Sequence, residues 1–91
     1  MTFSIAETGR ICAATVDNIS MGGVLLLTDV RLENDTQIVI HLPIEIDATI
    51  NVHATVKRTA DVGEFGVAFI SLTDDELERI ATFVESRAAR R

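Results

Sequence analysis

Short segments in which apolar and polar residues alternate constrain the fold of this chain more than any other feature. The clearest is Ile50–Lys57, in which every second residue from Ile50 to Val56 is apolar and the residues between them are polar or small. This alternation predicts a β-strand with one face on the core. Similar segments recur at even spacing with turn signals between them, which predicts an antiparallel β-barrel of about six strands. The predicted strands are Thr2–Ala6, Ile11–Val16, Val24–Thr28, Gln37–Leu42, Ile50–Lys57 and Phe65–Leu72.

Two of these strands carry a further expectation. Val24–Leu27 is apolar at consecutive positions, which predicts a strand that is covered on both faces. Pro43 follows the strand that ends at Leu42, and a proline has no amide hydrogen to donate to a ladder. We therefore expect Pro43 to end that strand and the residues up to Asp47 to form a connection.

The end of the chain predicts a single helix, over about residues 74–89. Thr73 and Glu76 have the spacing of a capping box, in which each side chain accepts a hydrogen bond from the other residue's backbone. An apolar stripe follows at helical spacing, so the helix is expected to pack on the sheet. We predict an all-β fold with one C-terminal α-helix, as a single domain over residues 1–91 with its strands within about 2–72. The stripe consists of Leu77, Ile80, Ala81, Val84 and Ala88, with Phe83 at its edge.

Composition excludes several classes of function. The formal net charge is -6 with only 8 Lys and Arg residues, and there is no Trp or Tyr, so general nucleic-acid binding is not expected. The longest aliphatic run is Val24–Leu27, which is far too short to insert into a membrane. Cys12 is the single cysteine and lies in a predicted strand, which favours a core position and a reducing, cytoplasmic location.

Residue types that carry catalysis or hold metals do not form a recognisable pattern. His41 and His53 lie in separate predicted strands, and neither has a second metal-binding residue at ligand spacing. Ser20 is not part of a nucleophile elbow. We therefore expect no enzyme activity, no metal site and no cofactor.

Residues 17–23 hold the strongest candidate for a binding site. Alternation places Asn18 and Ser20 on one side of the sheet and Ile19 on the other. Gly22 and Gly23 could supply the positive φ angles of a hairpin turn, and Gly23 would let a ligand approach the backbone. Two interpretations remain open: a ligand-facing ledge, or a local turn in which Asn18 and Ser20 satisfy nearby backbone groups.

At these residues the chain resembles a known family. The sequence Asn18-Ile19-Ser20-Met21-Gly22-Gly23 resembles the (Asp/Asn)-x-Ser-x-x-Gly motif of PilZ domains, which are bacterial modules that bind cyclic di-GMP. The segment from Gly66 to Leu72 with the helix after it is similar to the closing strand and C-terminal helix of that family. The resemblance implies that Asn18 and Ser20 contact a guanine base and that Gly22 and Gly23 allow a close turn.

The chain also departs from the family pattern. PilZ domains that bind the dinucleotide carry an Arg-x-x-x-Arg pair just before the first strand, whereas Arg10 is the only basic residue before Gly23 here. Arg10 and Arg58 are the remaining candidate phosphate contacts. For Lys57 and Arg58, however, the local pattern favours a solvated strand end that discourages edge pairing.

The resemblance implies a PilZ-type regulatory module in bacterial cyclic di-GMP signalling, which controls motility, biofilm formation or exopolysaccharide production. Without the arginine pair, we expect nucleotide binding by this chain alone to be weak or absent. The alternatives are a nucleotide-independent PilZ-like adaptor and a barrel of unrelated lineage. We expect a protein partner, and the sequence leaves the oligomeric state open, a homo-oligomer included.

Overall fold

A computed structural model of the chain describes residues 1–20, 22–45, 48–70 and 72–89. These residues form antiparallel strands followed by one C-terminal helix, which confirms the predicted fold class. No described helix is both long enough and apolar enough to span a membrane. The strands are β1 (Thr2–Ile5), β2 (Ile11–Ala13), β3 (Thr15–Ile19), β4 (Gly23–Leu27), β5 (Gln37–Glu45), β6 (Ala48–Asp61) and β7 (Glu64–Phe69), and the helix is α1 (Asp74–Ala89).

Both edge strands of the sheet come from one continuous segment of the chain. Its strand order is β2-β1-β5-β6-β7-β4-β3, and every pairing is antiparallel. The two outermost strands, β2 and β3, are consecutive and are separated only by Ala14. The segment 11–19 therefore pairs with β1 through its first half and with β4 through its second half. This division turns one predicted strand into two and gives a barrel-like sheet that is not fully closed.

Alternating side chains from both halves of the sheet build the core. Phe3, Leu26, Ile40 and Val52 are completely buried, as alternation predicts. The prediction that β4 is covered on both faces was wrong, because only every second side chain of β4 is buried. Leu25 points to the opposite, outer face and is only half-buried.

The β5–β6 hairpin is longer than predicted. Pro43 does not end β5, which continues to Glu45, and Pro43 lies opposite Thr49 of β6. The register shifts between Pro43 and Glu45, and a proline is tolerated beside such an irregularity because the ladder is already interrupted there. Ile46 and Asp47, in the predicted connection, lie outside the described residues.

The helix begins as predicted. The Thr73 amide donates to Glu76 Oε1 (3.0 Å) and the Glu76 amide donates to Thr73 Oγ1 (3.1 Å), which confirms the capping box. Ile80 is fully buried and fixes the helix on the barrel. Leu77, predicted to lie on the docked face, is 38% exposed, because it belongs to the first turn, where the chain has just left the sheet. The last strand ends at Phe69 rather than at Leu72, and Ser71 lies outside the described residues.

Candidate ligand site

A cleft of about 300 Å³ lies on the outer face of the sheet, over β3, β4, β7 and β6. The cleft brings together the four candidate residues of the ledge, which are Asn18, Ser20, Gly22 and Gly23. It also includes Arg58, one of the two candidate phosphate contacts. The other, Arg10, lies in the β1–β2 connection and is not among the residues that line the cleft. The lining residues are Asn18, Ser20, Gly22, Gly23, Val24, Leu25, Lys57, Arg58, Gly66, Val67 and Ala68.

One registered row of residues crosses the cleft. Asn18 pairs with Leu25, Leu25 with Gly66, and Gly66 with Arg58, so these four residues lie side by side on four adjacent strands. Neighbouring strands are about 4.8 Å apart, which places the backbones of Asn18 and Arg58 roughly 14 Å from each other. The side-chain amide of Asn18 therefore lies at one side of the cleft, and the guanidinium group of Arg58 lies at the other.

Two β-bulges determine to which face of the sheet the side chains of Asn18 and Arg58 point. In β3 the register shifts between Val16 and Asn18, and in β6 it shifts between Val56 and Arg58. A bulge adds one residue to a strand and re-aims the side chains beside it. Without the bulge in β6, alternation from the buried Val56 would direct Arg58 inward. The two irregularities together place Asn18 and Arg58 on the same exposed face.

Ser20 and Asn18 differ in their hydrogen bonds. The Ser20 hydroxyl donates to the Gly23 carbonyl (3.3 Å) and accepts from the Gly22 amide (3.3 Å), so Ser20 forms the local turn that the sequence left open as an alternative. The side-chain amide of Asn18 is exposed and makes no hydrogen bond within the described part of the chain. Of the two polar side chains of the ledge, Asn18 is therefore the one whose hydrogen-bonding groups are available to a ligand.

The two glycines of the ledge have different structural roles. Gly23 begins β4 without a positive φ angle, so the expected left-handed turn conformation is not found at that position; Gly9 and Gly63 are described with positive φ angles. A Cβ atom at Gly23 would overlap with the carbonyl oxygen of Val67 in the neighbouring strand, whereas one at Gly22 would meet nothing within 4 Å. The close approach at Gly23 is thus to the protein's own backbone. Met21, between Ser20 and Gly22, lies outside the described residues.

The cleft is cationic although the chain is acidic. Lys57 and Arg58 are both exposed and line it, and no carboxylate is among the described residues that do so. The local sequence pattern favours a solvated strand end for both residues, although Arg58 is also a candidate phosphate contact, and it indicates no role in the site for Gly66. The one available signal for this part of the site was Gly66 itself, because an isolated glycine inside a strand indicates a bulge or a close approach.

The histidines lie apart from the cleft. His41 contacts the hydroxyl groups of Thr2 (2.8 Å) and Ser4 (3.3 Å) through its two ring nitrogens. His53 is exposed on β6. Among the described residues, no three His, Cys, Asp or Glu side chains are grouped as metal ligands would be.

Comparison with known proteins gave one match. A family model described as PilZ domain matches residues 1–86, which is nearly the whole chain and includes every element that lines the cleft. No curated protein and no solved structure matched the chain.

Proposed function

The chain belongs to the PilZ domain family, and from this membership and the geometry of the cleft we propose that it is a regulatory module of bacterial cyclic di-GMP signalling. PilZ domains are regulatory binding modules rather than enzymes. The observation that carries the proposal is that Asn18, at the first position of the family motif, presents an exposed and unpaired amide to a cationic cleft.

Asn18 is the residue that we assign to the guanine base. Its side-chain oxygen can accept a hydrogen bond from a guanine N–H group, and its NH₂ group can donate to a guanine acceptor. Ser20 supports this contact indirectly, because its hydroxyl holds the turn that follows Asn18. Gly23 supports it by allowing β4 to lie close against β7 beneath the ledge.

Binding by this chain alone is proposed to be weak. The cleft of about 300 Å³ is at the lower end of the range of small-molecule pockets, which suits one nucleotide unit better than a whole cyclic dinucleotide. The described residues that line the cleft include no Arg-x-x-x-Arg pair. Each charge-assisted hydrogen bond contributes about 1.5–3 kcal/mol, so the loss of two such contacts lowers affinity by at least about two orders of magnitude.

Where an arginine-bearing N-terminal arm is present, the regulatory step that we propose is ligand-driven ordering of that arm over the cleft. Binding to the ordered form shifts the population towards it and changes the surface offered to a protein partner. We propose, as the resemblance implies, that the module controls motility, biofilm formation or exopolysaccharide production and acts in the bacterial cytoplasm.

Addition of a flexible arm tests this proposal. The chain is extended before Thr2 with a segment that carries an Arg-x-x-x-Arg pair, and cyclic di-GMP binding is measured by isothermal titration calorimetry. The extended chain is expected to bind measurably, and raised ionic strength is expected to weaken the binding because guanidinium–phosphate pairs are screened. Asn18→Leu in the extended chain is expected to abolish it, since this change removes the amide and roughly preserves side-chain volume.

Two results would contradict the proposal. An extended chain that is folded and still shows no binding would mean that the ledge is only structural, and a nucleotide-independent adaptor would then be the better account. Binding that survives Asn18→Leu would mean that the arm captures an anion without help from the ledge.

A further inference from the structure

Lys57 and Arg58 form a pair of adjacent cations on one face of the sheet. Successive residues of a regular strand point to opposite faces, but the bulge between Val56 and Arg58 places both side chains at the cleft. Like charges at neighbouring positions repel each other. Their placement on one face is therefore unfavourable unless an anion or solvent neutralises them.

Gly66 gives Arg58 a specific position. A Cβ atom at Gly66 would lie 3.1 Å from Cγ and 3.3 Å from Nε of Arg58, so the arginine side chain lies across the space that any other residue would fill. A glycine inside a strand lowers stability relative to other residues, and it often marks a site of close approach. Here it lets the guanidinium group extend from β6 over β7 towards the rest of the cleft.

Neither cation is neutralised by the protein. Within the ranges that the structure describes, the ion pair is Arg79–Asp75 on the helix, and neither Lys57 nor Arg58 takes part in one. The cleft lining contains no described carboxylate. In a chain with a formal net charge of -6, this is a local concentration of unpaired positive charge beside an unpaired amide.

We propose that Lys57 and Arg58 are the phosphate-binding half of the cleft and hold the phosphate group of a guanine nucleotide whose base contacts Asn18. This inference rests on the proposed function, since it takes the base contact from there. The guanidinium group supplies paired donors in a fixed fork, and the lysine supplies a second positive charge. The backbones of Asn18 and Arg58 are roughly 14 Å apart along the registered row, and a single nucleotide fits within that span.

Protection of a strand edge is the competing explanation. The last β5–β6 pair is Gln37–Thr55, so residues beyond Val56 have an exposed edge on that side. Cations at an exposed edge discourage pairing with other chains. That role predicts no response to phosphate in the ligand, and this difference makes the two explanations separable.

The test compares GMP with guanosine, which differ only in the phosphate group. Each is titrated at low ionic strength into the ¹⁵N-labelled chain, and the amide shifts of residues around the cleft are followed by NMR. GMP is expected to bind about tenfold or more tightly than guanosine. The combined change Lys57→Gln and Arg58→Gln is expected to reduce GMP to the affinity of guanosine. Arg31→Gln, an exposed arginine outside the cleft, is the matched control and is expected to keep the difference.

A second measurement does not depend on a variant. In the parent chain the ratio of GMP to guanosine affinity is expected to fall towards one as salt shortens the Debye length from about 10 Å at 0.1 M to about 3 Å at 1 M. Equal affinities at low salt, a ratio that is insensitive to salt, or no shifts with GMP would each overturn the inference.

Asn18→Leu separates failure of this inference from failure of the proposed function. If the difference between GMP and guanosine persists without Lys57 and Arg58 but both ligands are lost with Asn18→Leu, the phosphate-binding pair is wrong and the base contact stands. If GMP keeps its affinity in Asn18→Leu and loses it in the double variant, the cation pair stands and the base contact is wrong.

Discussion

Gly23→Ala is expected to destabilise the protein, although it adds only one methyl group. The new Cβ would overlap with the Val67 carbonyl oxygen and lie 3.1 Å from the Ala68 Cα. These are backbone atoms of β7, which pairs with β4 over five registered positions, so the clash cannot be relieved by rotation of a side chain. Overpacking of this kind costs about 1–3 kcal/mol, and the lower entropy of the unfolded alanine chain offsets up to about 1 kcal/mol.

The structure supplies a matched control one residue away. A Cβ at Gly22 meets nothing within 4 Å, so Gly22→Ala is expected to change the free energy of unfolding by no more than about 0.5 kcal/mol. Urea denaturation and thermal melting followed by circular dichroism measure both variants. A net cost near 2 kcal/mol corresponds to a fall of roughly 8–16 °C in Tm for a domain of this size. If Gly23→Ala melts with the parent, or if both variants fall equally, the close packing of β4 on β7 is refuted.

Three further predictions use the same denaturation assay. Ile80→Ala is expected to cost about 2–5 kcal/mol because Ile80 is fully buried, whereas Leu77→Ala, at a 38% exposed position, is expected to cost about 1 kcal/mol or less; equal losses would mean that the helix docks differently. Thr73→Ala is expected to cost about 1 kcal/mol and Thr73→Ser much less, since serine keeps the capping hydroxyl; equal values would argue against the cap. Gly66→Ala is expected to change stability by less than about 1 kcal/mol, because only the exposed side chain of Arg58 must move, and a loss as large as that of Gly23→Ala would contradict this.

Periodicity predicted the parts of this fold that depend on alternation and capping. Ile50–Lys57 reads as a half-buried strand in the sequence and is one in the structure, with Val52, Ala54 and Val56 buried. The helix bounds and the Thr73–Glu76 capping box also follow from local sequence, because the groups that satisfy one another are three residues apart. These features are decided by neighbours in the chain.

The features that the sequence did not reveal depend on partners distant in the chain. The bulge before Arg58 follows from the pairing of β6 with β7, and Lys57 and Arg58 are both polar, so no change in hydrophobic pattern marks it. Gly23 has the sequence context of a turn glycine. Its role is nevertheless set by the carbonyl group of Val67, 44 positions further along the chain. The sequence therefore predicts the side of the cleft at Asn18, whereas the side at Lys57 and Arg58 depends on a bulge that the sequence does not mark.

A guanine nucleotide is proposed to bind in the cleft between Asn18 and Arg58. The most direct test is to map cyclic di-GMP on the ¹⁵N-labelled chain that carries the arginine-bearing arm, from amide shifts measured at low ionic strength. The largest shifts within the barrel are expected at Asn18, Gly23, Arg58 and Gly66, which all line the cleft. Shifts centred on β1 and β5, around Thr2 and His41, or on the helix would contradict binding in this cleft.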